Sequence, residues 1–127
     1  YEILKVYRKL EAQGHLRGGR FIAGVTGEQY ALPETIARLR ALRREPETGE
    51  LVSLSAADPL NLVGILTPGA RVPALASNRI LLKDGIPVAT YAGGQTMFLT
   101  PLEPDAEWTA RNALLHKRMT SGSANPN

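Results

Sequence analysis

Apolar positions recur every three or four residues near the start of the chain. Ile3, Val6, Tyr7 and Leu10 fall on one side and Glu2, Lys5, Arg8, Lys9 and Glu11 on the other. That spacing predicts an amphipathic helix from Glu2 to Gln13, with Gly14 where a C-terminal cap belongs. The next eighteen residues are glycine-rich and alternate apolar with polar, which predicts short strands joined by turns. A helix followed by a twisted hairpin is the closing pattern of a winged-helix domain. Pro33 and Glu34 then suit the first turn of a second helix, whose apolar stripe is Ile36, Leu39 and Leu42. The segment from Glu45 to Glu50 ends that helix and links it to the central apolar stretch.

The longest apolar run, Leu51 to Pro73, is interrupted by Pro59, Gly64, Pro68, Gly69 and Pro73 and holds one acid, Asp58, and one amide, Asn61. An apolar run bounded by turn residues reads as a buried strand or a loop entering the core. Asp58 before Pro59 suits a turn in which the carboxylate accepts backbone N–H bonds; alternatively Asp58 or Asn61 faces a neighbouring domain or a ligand. Residues 78–99 read as a three-stranded meander. Its first turn is Asp84-Gly85, and Pro87 requires that its strand lie at an edge or begin there. Asp105 is placed to cap a last helix from Ala106 to about Met119, with Trp108, Leu115 and Met119 on one side. The fold class expected is α+β: an antiparallel β-rich domain over 1–119 with flanking amphipathic helices and a winged-helix-like start, then a disordered tail over 120–127.

A length of 127 residues and 43% hydrophobic content suit one modest core. No apolar run approaches the ~20 residues a membrane span needs, so no membrane partner is expected. The absence of cysteine excludes disulfides and Cys-based zinc sites, and a cytoplasmic location is the expectation. Because the chain opens on Tyr1 and not Met, it is expected to be processed or a piece of a longer protein. Charge is uneven: nine Lys or Arg against four acids from Tyr1 to Arg44, three against eight from Glu45 to Glu107, and three against none from Trp108 onward. Basic ends fit nucleic-acid phosphates and fit equally a domain docked through its acidic middle.

The search for catalytic chemistry returns little. There is no Gly-x-x-x-x-Gly-Lys-Ser/Thr phosphate loop, no DExH segment and no Gly-x-Ser-x-Gly elbow, and His15 and His116 lack companions at metal-ligand spacing. Arg17-Gly18-Gly19-Arg20 could grip a phosphate, since glycine lets backbone N–H groups and guanidiniums approach one anion; a turn with exposed arginines is the plainer reading. Arg40, Arg43 and Arg44 either contact phosphate, pack on an acidic neighbour, or form a solvated face near a helix C-terminus. Trp108 suits a core position or a base-stacking one.

Long phrases carry a resemblance. Tyr7 to Gly14, Arg17 to Phe21, Gly27 to Glu34, Ser55 to Leu62, Leu66 to Gly69, Val72 to Ala74 and Leu82 to Ala89 together resemble the C-terminal portion of the core of Lhr-type (large helicase-related) superfamily 2 helicases, including their DEAD/H-associated domain. The resemblance implies an accessory, nucleic-acid-channel domain of an ATP-dependent 3′ to 5′ DNA helicase acting in DNA repair. ATP and Mg2+ would be bound by the parent protein's motor domains and by nothing in this chain. The implied partners are upstream motor and winged-helix domains and single-stranded DNA or an RNA:DNA hybrid. On this reading Arg17, Arg20, Arg40, Arg43 and Arg44 contact nucleic acid, and Asp58 and Asn61 form a structural loop. A non-catalytic interaction module and a stand-alone nucleic-acid-binding module are the alternatives.

Overall fold

The computed structural model describes residues 1–116 and is an α+β protein. Its elements are α1 (Glu2–Ala12), β1 (Arg17–Gly19), β2 (Gln29–Ala31), α2 (Pro33–Leu42), β3 (Leu51–Ser55), β4 (Arg79–Lys83), β5 (Ile86–Ala92), β6 (Gln95–Phe98) and α3 (Pro104–Leu115). The chain groups into two compact units, Tyr1–Pro46 and Glu47–Asn127. The division falls inside the Glu45 to Glu50 link. The proposed tail at 120–127 and Met119 lie outside the described residues.

In the first unit, α1 ends one residue earlier than the apolar spacing predicts, and Gly14 takes φ +79 just beyond it, a conformation that costs glycine little. β1 and β2 pair antiparallel, Arg17 opposite Ala31 and Gly19 opposite Gln29, so the hairpin is shorter than its glycine-rich sequence suggests. Pro33 opens α2 at its first turn. Ile36 is the buried apolar residue of that helix; Leu39 and Leu42 face solvent, against the expected stripe.

The second unit is a four-stranded antiparallel sheet in the order β3-β4-β5-β6. The meander forms as expected, and the apolar run from Leu51 supplies a fourth strand, pairing Leu51 with Lys83 and Ser55 with Arg79. Asp84 and Gly85 both have positive φ, +48 and +81, which matches a primed two-residue turn to the strand twist. Pro87 is second in β5, an interior strand, and the register shifts between Leu81 and Leu82 beside it, so the missing N–H falls where the ladder is already irregular.

Side-chain alternation divides the core. On one face of the sheet Leu81 and its strand partner Ala89 pack with Ala110 and Leu114 of α3, joined by Val88, the extra residue at the register shift. On the other, Ile80 packs with Ala56, Val63 and Val72 from the loop between β3 and β4. Leu114 is fully buried, so Leu114→Ala would remove about 2–5 kcal/mol of stability. The apolar run is therefore buried only in alternate pieces: Leu60, Ile65 and Leu66 stay exposed. Two expectations for the last helix fail. Pro104 begins it, with Asp105 in the first turn and no side-chain cap, and Trp108 is 70% exposed, a surface residue and not a core one.

Candidate nucleic-acid interface

Residues 20–28 form a loop between β1 and β2 that one side chain holds at its root. The Gln29 carboxamide oxygen accepts the N–H groups of Phe21 and Ile22, both at 2.8 Å, and its NH2 donates to the carbonyls of Ile22 and Val25, both at 3.1 Å. The carboxamide thus satisfies backbone groups of Phe21, Ile22 and Val25 that strand pairing would otherwise need, within a stretch where the sequence suggests short strands. Nothing in the sequence singles out Gln29, because its partners are defined only once the hairpin closes.

Two contacts tie this hairpin to α1. Arg8 pairs with Glu28 at 3.0 Å, and the Tyr30 hydroxyl donates to the other Glu28 oxygen at 2.8 Å, with the Tyr7 and Tyr30 rings 5.3 Å apart. The hydrogen bond from Arg8, then that from Tyr30, holds Glu28 below its ordinary carboxyl value; the bond to Glu28 raises Tyr30. Glu11 accepts the Gly18 N–H at 2.9 Å. A Cβ on Gly18 would sit 2.7 Å from that oxygen, so glycine is what allows the approach.

These contacts change the reading of Arg17-Gly18-Gly19-Arg20. The Gly18 N–H is already donated to a carboxylate, so the segment offers an anion its guanidiniums and not a full set of backbone donors. Arg20 lines a cleft of about 640 Å³ with Arg8, Glu11 and Glu28; Arg17 does not line it. Both residues are exposed, and neither makes an ion pair or side-chain hydrogen bond among the described residues. Arg40, Arg43 and Arg44 are likewise exposed and unpaired at the end of α2, where Arg38 lies 3.9 Å from Glu45.

Asp58 and Asn61 act within their own loop. The Asp58 carboxylate accepts the Leu60 N–H at 2.9 Å, the turn expected of Asp before proline. Asn61 donates to the carbonyls of Ala56 at 2.9 Å and Val72 at 3.1 Å, tying the start of the loop to a later part of it, while its Oδ1 is buried without a partner. Among the described residues no group of His, Cys, Asp or Glu could hold a metal, and no helix is long and apolar enough to cross a membrane.

The first unit thus holds a helix, a short hairpin with a side-chain-braced loop and a following helix. Residues 1–51 match the family described as the large helicase-related protein, winged-helix domain. A stretch of 70 residues, 53% of this chain, is 41% identical to the Lhr helicase/uracil glycosylase of Escherichia coli (strain K12), of which it spans 5%. The two findings support the resemblance to the C-terminal region of an Lhr-type helicase.

Proposed function

We propose that this chain is an accessory, non-motor part of an Lhr-type ATP-dependent helicase that contacts the nucleic-acid strand during 3′ to 5′ translocation, in the service of DNA repair in the cytoplasm. The observation that carries the reading is the set of exposed arginines, unpaired among the described residues, Arg17 and Arg20 on the hairpin, Arg40 in the last turn of α2 and Arg43 and Arg44 just beyond it, within the winged-helix match. Guanidiniums free of internal partners can release counterions from phosphates, and that release supplies most of the free energy of non-specific strand binding. The sequence has no phosphate loop. Nucleotide chemistry belongs to the upstream motor domains, which are also the proposed partners.

Fluorescence anisotropy with a labelled single-stranded oligonucleotide tests this. Binding should weaken with salt by about 0.7 in logarithmic slope for each phosphate contacted. The double variant Arg17→Glu, Arg20→Glu should weaken binding and flatten that slope. Salt-independent or unaltered binding would remove the strand-contact role. A second reading, a protein-interaction module, is favoured by α1, none of whose residues is buried and whose Ile3 is 68% exposed. Absent oligonucleotide binding would favour it.

A further inference from the structure

Beneath α3, within the second unit, lies a pocket of about 340 Å³. That is the low end of the range for small-molecule sites, about 300–1,000 Å³, too small for a folded partner and large enough for one ring system. Its floor is apolar, with Leu51, Val88 and Ala110 from the sheet and the helix. Its rim is polar and comes from two walls: Lys83 from the end of β4, Asp105 and Thr109 from the first turns of α3. Lys83 and Asp105 line one pocket without forming an ion pair with each other or with any described residue. The Thr109 hydroxyl donates to the Asp105 carbonyl at 3.0 Å, which leaves its oxygen as an acceptor. The pocket thus offers a donor on one wall, acceptors on the other, and an apolar surface between.

A phosphate would suit this site poorly, because Asp105 lies on its rim and Glu103 and Glu107 flank Asp105 in sequence. A neutral planar group with both donors and acceptors along its edge suits it well. We infer that the pocket takes a single nucleobase, its ring on the apolar floor and its edge between Lys83 and Asp105. The inference rests on the strand-contact reading and adds to it a place where one base leaves the stack, with the energetic cost of unstacking offset by burial.

The test is an amide correlation spectrum of the isotope-labelled chain titrated with thymidine and, separately, with thymidine 5′-monophosphate. Saturable shifts are expected at Leu51, Val88 and Ala110, with the monophosphate binding no tighter than the nucleoside. Ala106→Leu fills the mouth of the pocket from an exposed helix position and should weaken binding at least about ten-fold, the scale of one altered pocket contact, while the rest of the spectrum stays unchanged. Lys83→Met should also weaken it. No saturable shift up to the solubility limit of thymidine, or shifts indifferent to Ala106→Leu, would overturn the base pocket. If the oligonucleotide still bound with its salt dependence, only the pocket would be lost. Thymidine binding without oligonucleotide binding would instead remove the strand-contact reading and leave a nucleoside site.

Discussion

Asp84 and Thr48, 36 residues apart in sequence, are joined twice: the Asp84 carboxylate accepts the Thr48 N–H at 3.1 Å and the Thr48 hydroxyl at 3.0 Å. The same carboxylate accepts the N–H groups of Gly49 at 2.9 Å and Glu50 at 3.3 Å, and Asp84 returns its own N–H to the Glu50 carbonyl at 2.9 Å. One turn residue therefore organises the segment that precedes β3. Burial pushes the Asp84 carboxyl up, and the donors from Thr48, Gly49 and Glu50 together outweigh it, leaving the group below its ordinary 3.8. A depressed carboxyl contributes stability that is present above the unfolded value and lost as pH falls through the folded one. Acid denaturation should therefore begin below pH 3.8 at this site, and Asp84→Asn should blunt that limb of a melting-temperature profile. Asp84→Ala should also speed proteolysis after Glu47 and Glu50 several-fold.

Within the loop between β3 and β4, the amide matters more than the acid. Asn61→Ala would leave the carbonyls of Ala56 and Val72 without their donor, a loss of about 1–3 kcal/mol. Asp58→Ala removes one turn bond at a half-buried position and should cost about 1 kcal/mol. Urea denaturation of the two variants would order them; a larger loss for Asp58→Ala would contradict the assignment.

Glycine positions separate strain from collision. Gly64 has φ +71, and a Cβ there would lie 2.7 Å from the Arg71 nitrogen and 2.9 Å from its Cα, so Gly64→Ala should cost on the order of 3 kcal/mol. Gly93 has φ +58 with open space around it, and Gly93→Ala should cost only the backbone strain, about 1–2 kcal/mol. Thermal melts of both proteins check the difference.

Tyr30 should titrate late. Its hydrogen bond to Glu28, then its burial, raises it above the ordinary 10.0, so the stability it contributes is complete below that pH and disappears as pH rises through the folded value. Ultraviolet titration of the phenolates, with Tyr30→Phe to identify its contribution, should find Tyr30 ionising above 10.0. Glu28→Gln should lower it, and Arg8→Met should raise Glu28 toward its ordinary 4.5.

Local chemistry was legible from the residues. The spacing of Ile3, Val6, Tyr7 and Leu10, Pro33 at a first turn, and Asp84-Gly85 between alternating strands each report conformations set by immediate neighbours. Contacts across sequence were not: Asp84 reads as a turn former, and only the folded sheet brings Thr48 to its carboxylate. Trp108 shows the opposite failure, since a large aromatic on a helix is expected inside, but small Ala110 and fully buried Leu114 form the packed side of α3. Of the candidate interface, the arginines were visible as charges; that Glu11 occupies the Gly18 N–H was not.

The Gln29 brace has a practical consequence. Since four hydrogen bonds at the base of the 20–28 loop come from one carboxamide, the outermost turn, where Gly24 has φ +77 and open surroundings, carries no structural duty of its own. A fluorophore or a short epitope could be spliced in at that apex and used to report on events near the hairpin, with the surrounding scaffold left as it is.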